Sequence, residues 1–203
     1  MLIVPAFPTT PDGVMRVGSA QGNGPSGYFD EHPRNAVLKA QLEASEPLVG
    51  EDLDVLVWPE GGIDSDPLNN EGTAAILDQL SRRVDAPLLV NAATTRGADT
   101  FNTSMVWVGG EGAVALHDKT HPVPMGEYVP DRWFFEALAP DLVGLIQREY
   151  TPGTNAPHVD VGGVEVGLAI CFDVIYDDVI WTSAREGAQV YMFQTNNADF
   201  RDT

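Results

Sequence analysis

Gly167-Leu168-Ala169-Ile170-Cys171-Phe172-Asp173 is an apolar run that delivers the only cysteine among 203 residues onto an acidic continuation. Upstream, Val164, Val166, Leu168 and Ile170 alternate with small or polar residues, the period-two pattern of a strand with one buried face. Downstream, Val174, Ile175, Val179 and Ile180 recur at helical spacing among Asp177, Asp178 and Trp181, which predicts a helix running from the cysteine to Arg185. A thiol at a strand-to-helix junction lies near a helix N-terminus, where free backbone N–H groups and the helix dipole favour the thiolate and can receive a developing oxyanion. Cys171 is therefore a candidate nucleophile, against the alternative that it is a small buried hydrophobe.

Working outward, residues 1–13 read as an irregular, Pro-punctuated leader ending in Asp12-Gly13. Val14 to Gln21 follows as a first strand, closed by Gly22-Asn23-Gly24-Pro25. Val37, Leu38, Leu42 and Leu48 share one face of a helix within 33–48, and Leu53 to Trp58 is a short apolar strand stopped by Pro59-Glu60-Gly61-Gly62. A second amphipathic helix, Thr73 to Val84, leads into a strand from Pro87 to Ala93. This alternation implies right-handed crossovers and a largely parallel sheet. Two hairpins follow, Thr103–Val108 with Ala113–His117, and Val159–Val161 with Val164–Ile170, each turning at glycines. Between them, 131–146 reads as a helical insert rich in aromatic and leucine residues and interrupted at Pro140. A last strand, Gln189 to Gln194, runs into the polar loop Asn196-Asn197-Ala198-Asp199-Phe200.

Composition narrows the function classes. A hydrophobic fraction of 43% is enough for a sizeable core, so disorder is excluded. One cysteine permits no intrachain disulfide, and His32, His117, His121 and His158 lack metal-ligand spacing, so neither a metal nor another cofactor is expected. Thirty acidic against 11 basic residues leave a net charge of −19, which repels phosphate backbones and argues against nucleic acid as a partner. No run reaches the ~18 apolar residues of a membrane helix, and no signal peptide is recognisable, so this stretch by itself reads as soluble.

Three positions share a grammar in which an apolar strand ends and a reactive side chain stands at its carboxyl edge, where open α/β sheets place ligands. They are Glu60 after Leu-Val-Trp-Pro, Lys119 after Val-Ala-Leu-His-Asp, and Cys171 after Gly-Leu-Ala-Ile. A cysteine nucleophile needs a general base and an electrophile for the oxyanion; no histidine is placed for both, whereas a carboxylate and an ammonium suit them. With Pro59-Glu60, Asp118-Lys119 and Cys171-Phe172-Asp173 in this order, the chain resembles the nitrilase, or carbon–nitrogen hydrolase, superfamily, whose site is a Glu-Lys-Cys triad. Within it, the chain is most similar to the apolipoprotein N-acyltransferase family. The carriers are Gln21-Gly22-Asn23, Trp58-Pro59-Glu60, Lys119 followed by the run 122–130 (Pro-Val-Pro-Met-Gly-Glu-Tyr-Val-Pro), Ala169-Ile170-Cys171, and Asn196-Asn197-Ala198-Asp199.

The resemblance implies an α/β fold, an α-β-β-α sandwich of two mixed sheets, with residues 14–203 forming a nitrilase-like catalytic domain that is C-terminally incomplete. It implies a longer protein, with membrane helices before residue 1 and further strands after Thr203. Glu60 would be the base, Cys171 the nucleophile, and Lys119 the oxyanion partner together with the backbone N–H of Phe172. Glu127 would orient Lys119 or an incoming amine. The implied reaction passes an acyl chain from a phospholipid through a cysteine thioester to the amine of a diacylglyceryl-cysteine apolipoprotein, on the extracytoplasmic face of the cell membrane. Trp133, Phe134 and Phe135 are expected either to touch membrane and acyl chains or to fill the core against the helix after Cys171. The family commonly carries glutamate where this chain has Asp173, which leaves that residue's role open. The alternatives are a soluble amidase or nitrilase using the same triad, and an inert remnant.

Overall fold

The computed structural model describes residues 13–25, 33–146 and 149–197; the leader reading for 1–12 and the loop residues from Ala198 onward lie outside them. Strand alternation and helical periodicity produce eight strands and five α-helices among the described residues. A first sheet, in order β1-β2-β3-β4-β5, comprises β1 (Val17–Ser19), β2 (Val55–Val57), β3 (Leu88–Arg96), β4 (Asp99–Val108) and β5 (Gly112–Asp118). β1, β2 and β3 pair in parallel, whereas β4 and β5 return antiparallel through tight turns. The sheet is therefore mixed rather than largely parallel, because the Gly109-to-Gly112 segment closes a hairpin that leaves no room for a crossover helix. A second, three-stranded sheet joins β6 (His158–Val161), β7 (Val164–Ile170) and β8 (Val190–Gln194), with β7 and β8 parallel.

Helices α1 (Ala36–Ser45) and α2 (Glu71–Val84) cover one face of the first sheet. Leu38, Leu77, Leu80 and Val84 pack there against Leu56, Trp58, Leu88, Val90 and Met105. Asn70 caps α2 by accepting the Thr73 N–H, and the buried Trp58 indole donates to Ser45 Oγ at 2.9 Å. The other face meets the second sheet: Val55, Leu89 and Val106 form one cluster with Val159, Val161, Val166, Leu168 and Met192. α5 (Asp177–Arg185) lies on the outer side of β7, where a Cβ on Gly167 would come within 3.1 Å of Ser183 Cβ and 2.5 Å of the Tyr191 ring. The layers thus stack as helices, sheet, sheet, helix, the expected sandwich.

Two local expectations are corrected. The first strand pairs over only Val17–Ser19, not Val14 to Gln21. The helix read from Cys171 onward is instead a 3-10 turn, Cys171–Ile175, broken at the extended Tyr176 before α5 begins at Asp177. The break follows from the buried Asp173 carboxylate, which draws the turn onto neighbouring backbone rather than letting it continue. The insert divides, as Pro140 requires, into α3 (Arg132–Leu138) and α4 (Pro140–Leu145), with Ala139 between them.

Candidate active site

The interface between the sheets changes character along its length. The cluster around Leu89, Val106, Leu168 and Met192 is apolar, but one step further along the same strands stand Asn91, Asn102, Ser104 and Gln194, all buried. Ser104 Oγ hydrogen bonds to Gln194 Oε1, and Gln194 Nε2 donates to the Trp58 carbonyl at 2.7 Å, so a polar seam joins the two sheets. Here the carboxyl ends of β2, β5, β7 and β8 meet, and they carry Glu60, Lys119, Cys171 and Thr195. A buried seam of this kind is tolerated because its members satisfy one another.

Lys119 is the centre of the group, with a side chain 1% exposed. Its Nζ lies 3.3 Å from Glu60 Oε1 and 2.8 Å from Glu127 Oε2. Burial works to lower the lysine pKa, but the Glu60 and Glu127 carboxylates outweigh it and the net shift is upward, which keeps the ammonium charged. The main chain around it is pinned on both sides: Lys119 N donates to the Asn102 carbonyl and the Lys119 carbonyl accepts from Gly153 N, each at 2.8 Å. Asp118 is held by Arg96, Thr103 and Asn155.

Glu60 is fixed on both oxygens. Oε1 accepts from Asn102 Nδ2 at 2.8 Å, and Oε2 from the Asn196 backbone N–H at 3.0 Å. Glu127 sits in a loop closed by its own side chain, Oε2 accepting from Val123 N at 2.7 Å. It is thus an inward-facing partner of Lys119 rather than a surface carboxylate.

Cys171 takes a left-handed φ of 51°, uncommon for a side chain with a Cβ. Its thiol pKa is raised, by burial first and then by the Glu60 charge and hydrogen bond, against the lowering effects of Lys119 and Thr195. The expectation that position and lysine would favour a resting thiolate is therefore corrected: the sulfur rests protonated, hydrogen bonded to a carboxylate that can take its proton.

Asp173 is fully buried and accepts backbone N–H groups from Ile170 and Thr120 at 3.3 Å and from His121 at 2.8 Å. It ties the cysteine turn to the residues after Lys119, which is a structural part. Beside it, His117 is buried with Nδ1 on the Ala156 carbonyl, and its pKa is lowered, chiefly by burial. Phe172 sets its ring edge-on to Tyr176. Trp133 and Phe134 do not fill the core: they are 76% and 48% exposed on α3, with Phe135 half-buried behind them. Asn91, Asn102, Ser104 and Gln194 were not singled out from the sequence, although polar residues inside otherwise apolar strands were the available signal.

Residues 16–202 match the carbon-nitrogen hydrolase family. An apolipoprotein N-acyltransferase from Mycolicibacterium smegmatis is 32% identical over 211 residues, covering 93% of this chain and 34% of that protein. One from Synechocystis sp. is 25% identical, covering 96% of this chain and 37% of that protein. The chain thus spans about a third of the length of these curated relatives. An amidase from Nesterenkonia sp. has a TM-score of 0.63 at 17% identity, over 89% of this chain and 64% of that one. A glutamine-dependent NAD+ synthetase from Acinetobacter baumannii reaches 0.59 at 12% identity, over 90% of this chain and 32% of that one. These likenesses concern the fold, and they agree with the layered arrangement described above. Sandwich, strand-end site and matched pattern lead to one assignment: the chain belongs to the carbon–nitrogen hydrolase family.

Proposed function

We propose that residues 14–203 are the catalytic unit of an N-acyltransferase that moves an acyl chain from a phospholipid to the amine of a diacylglyceryl-cysteine apolipoprotein. The observation that carries the reading is that relatives named apolipoprotein N-acyltransferase align over 93% and 96% of this chain. The lysine flanked by two carboxylates beside a thiol supplies the chemistry.

Glu60 takes the Cys171 proton as Sγ attacks the ester carbonyl of the lipid. Lys119, with the backbone N–H of Phe172, stabilises the tetrahedral oxyanion. The C–O bond breaks, Glu60 returns the proton to the leaving alcohol oxygen, and a thioester remains. The incoming amine then attacks the thioester, giving its proton to Glu60; Sγ leaves and recovers that proton, and an amide is released. No redox step or cofactor enters this balance.

No helix among the described residues is long and apolar enough to cross a membrane. We assign lipid contact to the exposed Trp133 and Phe134, and membrane attachment, with the site on the extracytoplasmic side, to the protein of which this unit is part.

A second reading, an amidase cleaving small amides through the same residues, draws on the fold neighbours. One is the Nesterenkonia sp. AN1 amidase, seen with the acetamide moiety of fluoroacetamide added covalently at its active site cysteine. Mass spectrometry after incubation with phospholipid vesicles separates the two. One acyl chain on Cys171, absent from Cys171→Ala, is the expected result. Rapid turnover of small amides with no acyl adduct would favour the amidase, and neither outcome would leave an inert protein.

A further inference from the structure

Glu60 and Glu127 reach the same ammonium, and they also reach the same amide. Asn102 Nδ2 donates to Glu60 Oε1 at 2.8 Å and to Glu127 Oε1 at 3.2 Å, while Lys119 Nζ lies 3.3 Å from the first oxygen and 3.0 Å from the second. The four groups close a ring in which two acceptors alternate with two donors. We propose that Asn102 is a positioning residue: its two amide hydrogens hold Glu60 and Glu127 as a pair of anions around Lys119, leaving Glu60 able to take the thiol proton. This rests on Glu60 being the base of the proposed reaction.

The charge arithmetic explains the need. Two carboxylates and one ammonium leave one surplus negative charge in a half-buried pocket, and like charges at such range drive one carboxylate to bind a proton. A neutral donor shared between them relieves that pressure without adding a second cation, which would bind the thiolate and oppose its transfer chemistry. Each second oxygen already has its own donor, Asn196 N on Glu60 and Val123 N on Glu127. Among the described residues, Asn102 and Lys119 are the side chains that serve both. The titratable groups meeting there are the two glutamates, Lys119 from the end of β5 and Cys171 from the end of β7.

The amide itself is prevented from turning over. Asn91 Nδ2 donates to Asn102 Oδ1 at 2.8 Å, which commits the Asn102 amide nitrogen to the carboxylates. Asn91 Oδ1 in turn accepts the Gly61 N–H at 2.8 Å, next to Glu60, and the Asn102 carbonyl accepts the Lys119 N–H. Both asparagines are buried, 1% and 6% exposed. The ring is therefore held at Glu60, at Lys119 and through Asn91 by side chain and main chain together.

The test reads Cys171 directly, as the rate of alkylation by iodoacetamide against pH in the purified protein. In the parent, reactivity rises first where Glu60 becomes free to accept the thiol proton, and again where the thiol ionises unaided. Asn102→Leu, close in volume, should move the first rise to higher pH by about one unit or more, because the unrelieved carboxylate pair takes up a proton sooner. A first rise that stays in place, with only the amplitude or the melting temperature lowered, would overturn the proposal in favour of simple packing. Should Asn102→Leu fail to fold, Asn102→Ser, with one hydrogen to give, should show a smaller shift in the same direction, and no shift would be equally decisive. Alkylation needs neither lipid nor lipoprotein, so failure of the acyltransferase reading leaves this measurement standing. Conversely, an acyl-thioester together with an unmoved first rise would remove Asn102 alone.

Discussion

Asp173 Oδ1 accepts the backbone N–H of His121 at 2.8 Å, so the turn that carries Cys171 is fastened to the segment that carries Lys119. The same carboxylate accepts from Thr120 N and Ile170 N, and the His121 ring stacks on Tyr176 with centroids 3.8 Å apart. Nucleophile and cation, far apart in the chain, thus share one anchor. The left-handed backbone at Cys171 is the kind of cost that persists only where surrounding bonds over-determine it.

Asp173→Asn keeps the size but replaces one acceptor oxygen with a donor, leaving backbone N–H groups without a partner. Stability should fall by about 1–3 kcal/mol, read as a lower urea midpoint at unchanged slope. Asp173→Glu should also destabilise, because the site is fully buried and the extra methylene has no free volume to enter. An unchanged midpoint in both would show that the carboxylate is not the anchor.

The pH behaviour of Cys171 carries a sign. Burial and the Glu60 charge both hold the thiol up, so Glu60→Gln removes one of the two. In that variant the early rise in alkylation disappears, and the remaining alkaline rise moves to lower pH than its counterpart in the parent. Acyl transfer is nevertheless lost, since no base is left to take and return the proton. A variant that alkylates more readily near neutrality yet transfers nothing is the expected combination. The raised thiol pKa also means that the folded state holds this proton longer than the unfolded chain. Its contribution to stability is complete below the unfolded thiol's range and is lost as pH rises through the folded value.

Gly153 matters by contact rather than by conformation. A Cβ there would sit 2.1 Å from the Asp118 carbonyl oxygen, and its N–H is the donor to the Lys119 carbonyl. Gly153→Ala must push the end of β5 away from Asn102. The expected cost is about 1–3 kcal/mol in thermal or chemical unfolding, together with slower acylation of Cys171. Parent-like stability and acylation would refute the close approach.

Trp133 and Phe134 offer apolar area to a lipid without supporting the fold. Replacing both with serine should change stability by no more than about 0.5 kcal/mol. Acyl transfer from phospholipid vesicles should drop at least about tenfold, as each aromatic withdrawn from lipid forfeits its burial. Alkylation of Cys171 by a small reagent should not change. Equal transfer by parent and variant would detach these rings from the substrate.

Much of the architecture was legible because periodicity is a local property. The alternation of Val164, Val166, Leu168 and Ile170, and the helical spacing of Ile76, Leu77, Leu80 and Val84, each reports a buried face within a few residues. Glu60, Lys119 and Cys171 were legible for a related reason: each follows an apolar strand and a turn, so each had to stand at a sheet edge. Asn102 and Gly153 were not, because their parts depend on partners such as Glu60 and Asp118, distant in the chain. The turn after Cys171 was misread for the same cause. Its hydrophobic spacing is helical, but backbone donors from the Lys119 segment claim Asp173 and stop the helix.

Order of elements, the choice of buried faces and the three strand-end side chains follow from the amino-acid sequence, since steric preference and hydrophobic patterning act between neighbours. Whether Glu127 faces solvent or Lys119, whether the thiol rests charged or neutral, and whether the aromatics of α3 enter the core were decided only on folding. Each of those outcomes depends on burial and on charges brought close through space, and neither quantity exists until the two sheets have met.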